Sequence, residues 1–212
     1  MKGIFITFEG SEGCGKSTHS ELLYSFLKAK KYKVVKVREP GGTLISEKIR
    51  DILLDFKNKS ISANCEMLLY MAARAQIVKE VIKPALVKGY IVICYRFLDS
   101  TIAYQGYGLG MDIAKIKYIG NFVNEGLMPD LTIFLDLPTR KGLANCHRVK
   151  NCKDRIEQRS LVYHKKVRNG YLKLAAEEKN RIKIVKVDKE KSVTQEKILN
   201  LVENKISYIH GV

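Results

Sequence analysis

A chain of 212 residues with 46% hydrophobic content is long enough to bury one full core, and no Pro/Gly/Ser-rich linker divides it, so residues 1–212 are expected to form a single domain. The formal net charge is +16, but the 38 Lys+Arg are spread along the chain with no aromatic-interleaved basic stripe, so no stable nucleic-acid partner is expected. No apolar run reaches membrane-spanning length and no leader pattern precedes the first strand, which sets aside a membrane partner and makes a cytoplasmic location the expectation.

The first predicted element is the buried strand Gly3-Ile4-Phe5-Ile6-Thr7-Phe8, and a helix follows over 18–27. Between them Gly10-Ser11-Glu12-Gly13-Cys14-Gly15-Lys16-Ser17 fits G-x-x-x-x-G-K-[ST], in the order strand, glycine loop, helix that this pattern requires. Glycines there let backbone N–H groups turn inward around phosphates at the positive end of the helix. Gly10, Ser11, Glu12, Gly13, Cys14, Gly15, Lys16, Ser17 and Thr18 are therefore the candidate ATP-phosphate ligands. Lys16 is assigned to the β- and γ-phosphates, and the Ser17 hydroxyl to Mg²⁺.

Further strands are predicted over 33–37, 89–94, 131–136 and 182–187, and helices over 44–55, 64–87, 112–125, 155–179 and 192–206. Five apolar strands alternating with helices indicate an α/β fold, a five-stranded parallel sheet with helices on both faces in three α/β/α layers. Its sites should lie at the carboxyl ends of the strands. Five cysteines, an odd number at irregular spacing, suit reduced thiols, and Cys146-His147 with Cys152 is too small a set for a zinc site.

Those strand ends carry the second layer of signal. Arg38-Glu39-Pro40-Gly41-Gly42-Thr43 follows the second strand, Arg96-Phe97-Leu98-Asp99-Ser100-Thr101 follows the third, and Asp154-Arg155 lies in a basic stretch after the fourth. A small kinase acting on a phosphorylated acceptor needs cations for the acceptor phosphate, groups that read base and sugar, and a cationic lid; candidates for all three are present.

From about Lys2 to Leu201 the chain resembles the bacterial thymidylate kinase family. The resemblance is carried by Phe8-Glu9-Gly10, Arg38 to Thr43, Leu68-Leu69-Tyr70-Met71-Ala72-Ala73-Arg74, Asp99-Ser100-Thr101-Ile102-Ala103-Tyr104-Gln105-Gly106, and Asp154-Arg155-Ile156-Glu157 with Val167-Arg168-Asn169-Gly170-Tyr171-Leu172. It implies phosphoryl transfer from ATP with Mg²⁺ to dTMP, giving dTDP for dTTP biosynthesis, in a homodimer. By position, Tyr70 would stack on thymine and Arg74 bond its edge, Arg38 and Arg96 would bind the acceptor phosphate, and Glu12 would meet the 3′-hydroxyl or a nearby metal. Ser100, Thr101, Tyr104 and Gln105 fall around base and sugar, and Glu39 would order the site.

The phosphate loop has no basic residue at its variable positions, so the resemblance assigns the catalytic arginine to a lid at about 144–158, with Arg148 and Arg155 as candidates and Lys150, Lys153 and Arg159 nearby. Two positions depart from the family. Asn145 stands where relatives usually carry arginine, and Tyr95-Arg96 replaces Asp-Arg at the end of the third strand. A phenol cannot replace the aspartate as a hard oxygen ligand, so turnover is expected to be weakened unless Glu9 or Glu12 takes the metal role. Two other readings stand beside this one: a kinase for another (deoxy)nucleotide, and a nucleotide-binding protein with little catalysis. A P-loop GTPase is disfavoured by the absence of N-K-x-D.

Overall fold

The computed structural model describes residues 2–148 and 154–211. Five strands, β1 (Ile4–Glu9), β2 (Val34–Arg38), β3 (Ile91–Tyr95), β4 (Leu131–Asp136) and β5 (Ile182–Lys186), form one sheet in the order β2-β3-β1-β4-β5. All four pairings are parallel. The order reverses at β1, whose carboxyl end therefore opens into the crevice between β3 and β4.

Strand alternation sorts the core into two layers. Phe5, Val92, Cys94, Phe134 and Ile182 point to one face, where α3 (Ala63–Ile77), α5 (Leu98–Thr101), α6 (Ile113–Asn124) and α8 (Leu161–Glu177) cover them. Ile4, Ile6, Phe8, Ile91, Ile93, Ile133 and Val185 point to the other, against α1 (Lys16–Ala29) and α9 (Lys191–His210). The predicted three layers and all five strands are present. By the same alternation Glu9 belongs to the α3/α8 face and Tyr95 to the α1 face.

Two of the predicted helices differ from expectation. The predicted helix 64–87 bulges into a π-helical turn over Val78–Ile82 before α4 (Lys83–Val87). The predicted helix 155–179 begins only at Leu161, because the Ser160 side chain caps α8 by accepting from Tyr163 N at 3.2 Å. Ahead of it the Asp154 carboxylate accepts from the amides of Ile156 and Glu157, closing a turn that helical periodicity does not reveal.

Two helical segments had no predicted counterpart. Residues Ile102–Gly108 extend α5 as π-helix, and α7 spans Thr139–Arg148. Gly170 in α8 lies close enough to the Tyr107 ring that a Cβ there would sit 2.6 Å from it, which explains a glycine within a long helix. α2 (Leu44–Leu54) is capped by Thr43, and Ser46 ties it to α3 through the Ala73 carbonyl at 2.8 Å.

A buried ion pair closes the lower side of the α8 layer. Arg181 donates to both oxygens of Asp99, at 2.6 and 2.8 Å, and to Thr132 Oγ1, while Thr132 pairs with Thr7. α5 is thereby fastened to β4 and the start of β5. Removing one partner of such a pair leaves an uncompensated buried charge. Arg181→Leu is expected to lower unfolding stability by about 3–5 kcal/mol, read from urea denaturation; a loss within error of zero would show that Asp99 finds other compensation.

Candidate active site

The loop leaving β1 turns through three glycines with positive φ: Gly10 at 141°, Gly13 at 65° and Gly15 at 89°. Lys16, the first residue of α1, folds back so that Nζ donates to the carbonyls of Gly10 (2.9 Å) and Ser11 (2.7 Å). Its ammonium also lies 5.4 Å from the centroid of the Tyr95 ring. α7 rests directly on this loop: a Cβ on Gly13 would fall 2.0 Å from the Gly142 carbonyl oxygen, and one on Gly142 2.3 Å from that of Glu12. Asn145 completes the seam by donating from Nδ2 to the Gly13 carbonyl at 3.1 Å.

Beside the loop, β3 ends in Tyr95 and the chain turns sharply through Arg96, whose φ is 69°. The Arg96 guanidinium reaches the Gly10 carbonyl, Ser100 Oγ, Tyr171 Oη and Glu12 Oε1, the last at 3.1 Å. The same Glu12 oxygen accepts from Tyr104 Oη at 2.5 Å, and the other, Oε2, lies 3.1 Å from His164 Nδ1. Burial raises the Glu12 carboxyl pKa, but His164, Arg96, Lys16 and Tyr104 together outweigh it and bring the value to about 2.

Glu9 is fully enclosed. Its Oε1 accepts from Phe97 N at 2.7 Å, and its Oε2 from Ser100 Oγ and Tyr171 Oη. Burial, with Asp99 nearby, raises its pKa. Further out, Glu39 and Arg74 form a buried pair at 2.7 Å, and Arg74 also donates to Thr101 Oγ1 at 3.0 Å. The Glu39–Pro40 peptide is cis. Tyr70, one helical turn before Arg74, is half-buried in the wall of the cleft these groups enclose.

The cleft gathers Glu12, Gly13, Glu39, Tyr70, Arg74, Arg96, Ser100, Thr101, Tyr104 and Gln105. Arg38 lies outside its lining. It pairs with Glu47 at 3.0 Å and faces an adjoining cleft with Ser17, Arg50 and Tyr95. Tyr95 and Arg50 line both spaces. Of the lid candidates, Arg148 is exposed at the end of α7, whereas Arg155 donates to the Leu53 carbonyl and pairs with Glu66 at 2.6 Å. Cys152, Lys150 and Lys153 lie outside the described residues.

Sequence reasoning did not single out Glu66, Arg50, Tyr171 or His164. Glu66 is buried and accepts from Gln105, while pairing with Arg155 and Arg159, so it joins α3, the π-helical segment and the turn before α8. Glu66 stands in the first turn of α3, capped by Ser62, where an acidic residue reads as a helix-terminus charge rather than a buried carboxylate. His164 is fully buried, and a lone histidine in a helical pattern carries no signal of a carboxylate partner far away in sequence.

A glycine phosphate loop at the switch point of a parallel α/β sheet, with an arginine-lined acceptor cleft beside it, defines a P-loop nucleotide kinase. The sequence model of the thymidylate kinase family matches residues 8–198. A thymidylate kinase of Geotalea daltonii is 51% identical over 189 residues, covering 86% of this chain and 88% of its own. One from a Thermoanaerobacter species is 48% identical, with 84% and 86% covered. The crystal structure of thymidylate kinase from Ehrlichia chaffeensis superposes with a TM-score of 0.77 at 32% identity, over 95% of this chain and 99% of that one.

The chain belongs to the thymidylate kinase family. It is an enzyme of that family, phosphorylating dTMP to dTDP with ATP as donor.

Glu39 gives the site a pH signature. Burial pushes its carboxyl up from 4.5 to about 7, against the pull of Arg74. Between those values the folded state holds the extra proton, so this group's contribution to stability declines as pH rises and is fully lost above the folded value. Replacing the titrating group by Glu39→Gln should make the melting-temperature difference, variant minus parent, move in the variant's favour from about pH 5 to about pH 7.5. Thermal melts across that range check it, and a pH-independent difference would count against the assignment.

Proposed function

We propose that the γ-phosphoryl group of ATP passes from the phosphate loop to the 5′-phosphate of dTMP held in the adjoining cleft. The observation that carries this reading is the buried Glu39–Arg74–Thr101 cluster behind Tyr70, opening onto the cleft that Arg96 shares with the loop. Tyr70 offers a face to thymine, and Arg74, with Glu39 behind it, offers donors to the base edge. Ser100, Thr101, Tyr104 and Gln105 shape the remainder around base and sugar, and Glu12 accepts the 3′-hydroxyl. Arg96 holds the acceptor phosphate, with Arg38 entering from the adjoining cleft.

The acceptor phosphate is already anionic at neutral pH, so the protein's task is to bring two repelling anions into line and neutralise the equatorial oxygens. Lys16 exchanges its loop carbonyls for the β- and γ-phosphates, and the amides of Gly10 to Thr18 cradle them. A lid arginine adds the last positive charge. Arg148 reaches it from α7, which already rests on the loop, and Arg155 reaches it by leaving Glu66.

Magnesium fits this site as a companion of the triphosphate. The Ser17 hydroxyl is exposed in the first turn of α1, facing the cleft that Tyr95 also lines. Mg²⁺ normally keeps waters and phosphate oxygens as most of its ligands, so one hydroxyl from the protein suits it. Both oxygens of Glu9 are taken by neighbours, and Glu12 is pinned among Arg96, Tyr104 and His164. The ion would shield the phosphates' charge, and Ser17 would hold it.

A cytoplasmic homodimer is the assembly we propose. Tyr118 and Phe122, both 79% exposed, lie one turn apart on α6, beside α3 with its exposed Leu68, and an apolar face of this kind suits a second copy. No described helix is long and apolar enough to cross a membrane.

ADP release from Mg-ATP, measured with dTMP, dUMP, AMP, CMP and thymidine in parallel, tests the acceptor. A clear preference for dTMP is expected; equal release with another monophosphate would favour a different nucleotide kinase. Tyr95 carries a second expectation, because its ring faces Lys16 and Ser17 where the family resemblance implies a carboxylate. Tyr95→Asp should raise kcat more than it changes the acceptor KM, since the missing charge acts on the transition state. An unchanged kcat would overturn this account of Tyr95, whereas ATP binding with no acceptor-dependent turnover in either protein would leave a nucleotide-binding role instead.

A further inference from the structure

We propose that His164 is a positioning residue for acceptor recognition, its Nδ1–H holding the second oxygen of Glu12 so that the carboxylate meets the 3′-hydroxyl of the deoxyribose. The proposal rests on the reading of Glu12 given above and adds the group that orients it.

One oxygen of Glu12 is well fixed: Oε1 accepts from Tyr104 at 2.5 Å and from Arg96 at 3.1 Å. Those two bonds leave the carboxylate free to tilt about that oxygen. Among the described residues the polar group set against Oε2 is His164 Nδ1, at 3.1 Å and wholly buried. Oε2 is buried and makes no aligned hydrogen bond, so a small turn of the imidazole lets Nδ1–H engage it and fix the plane in which the carboxylate meets the sugar hydroxyl. With the proton on Nδ1 the imidazole is a donor toward Glu12 and leaves that carboxylate only its acceptor role.

A packing role alone does not account for this side chain. α8 already meets the π-helical segment through Val167, Gly170 against Tyr107, and the Tyr163 ring. His164 Nε2 is buried and has no protein partner among the described residues, while Nδ1 approaches Glu12 Oε2 at 3.1 Å without the alignment of a full hydrogen bond. An apolar side chain would fill the same space without leaving a polar atom unpaired, at a cost a buried polar group otherwise incurs. What the histidine adds over such a residue is Nδ1.

The geometry sets a test that packing would not pass. An asparagine amide nitrogen stands the same number of bonds from the backbone as Nδ1, and a glutamine amide nitrogen the same number as Nε2. The dissociation constants of dTMP and 3′-deoxy-dTMP are measured by calorimetry for the parent, Glu12→Gln, His164→Asn, His164→Gln and His164→Phe, with no turnover required. The ratio of the two constants is taken within each preparation, so a partly unfolded fraction cancels. The parent's preference for the 3′-hydroxyl is expected to fall about tenfold in Glu12→Gln, His164→Gln and His164→Phe, and to stay within about twofold in His164→Asn. Steady-state kinetics should show the same losses in the acceptor KM rather than in kcat. A ratio that falls in Glu12→Gln but holds in His164→Gln and His164→Phe overturns the role of His164. A ratio unchanged in Glu12→Gln overturns the reading of Glu12 itself and the proposal with it, and loss of preference in His164→Asn overturns the assignment to Nδ1.

Discussion

Arg96 leaves β3 with a φ of 69°, a backbone state that costs a non-glycine residue about 1–3 kcal/mol. Four acceptors hold it there: a carbonyl of the phosphate loop, the Glu12 carboxylate, Ser100 at the start of the next helix and Tyr171 from α8. Those four groups come from the phosphate loop, α5 and α8. The phosphate loop and these two helices are thus referred to one guanidinium. The strain is local, and the surrounding bonds over-determine the conformation that carries it.

The two faces of the sheet divide the labour around that point. Strand alternation sends Glu9 toward α8, where Ser100, Tyr171 and an amide enclose it as a supporting wall. It sends Tyr95 toward α1, over Lys16 and beside Ser17. Tyr95 lines both clefts, and the Arg96 guanidinium carbon lies 5.7 Å from the centroid of its ring.

Much of this was legible in the sequence because it is local. The glycine loop between an apolar strand and an amphipathic helix, the five apolar strands, and the cluster of motifs at their ends all survive in the structure. The boundaries that failed had side-chain causes: Asp154 closing a turn and Ser160 capping α8 stop the helix that periodicity extends back to 155. The π-helical stretches carry the same apolar spacing as ordinary helix and give no separate signal. Glu66 and His164 were invisible because their roles depend on partners brought together by tertiary packing, Arg159 93 residues from Glu66 and His164 on a different layer from the loop it touches. Arg38 shows the converse: a strand-end arginine is easy to place near a cleft, yet its pairing with Glu47 decides which cleft.

The contact between Gly13 and Gly142 has a mechanical meaning. With no side chain possible on either residue, the phosphate loop and α7 meet backbone to backbone, and Asn145 pins the same seam. Arg148 lies six helical steps beyond Gly142, a rise of about 9 Å at the usual advance per residue. α7 is in effect a short rigid arm pivoted on the loop, with a guanidinium at its tip. The loop and that guanidinium are joined through backbone contact, so the position of one constrains the position of the other.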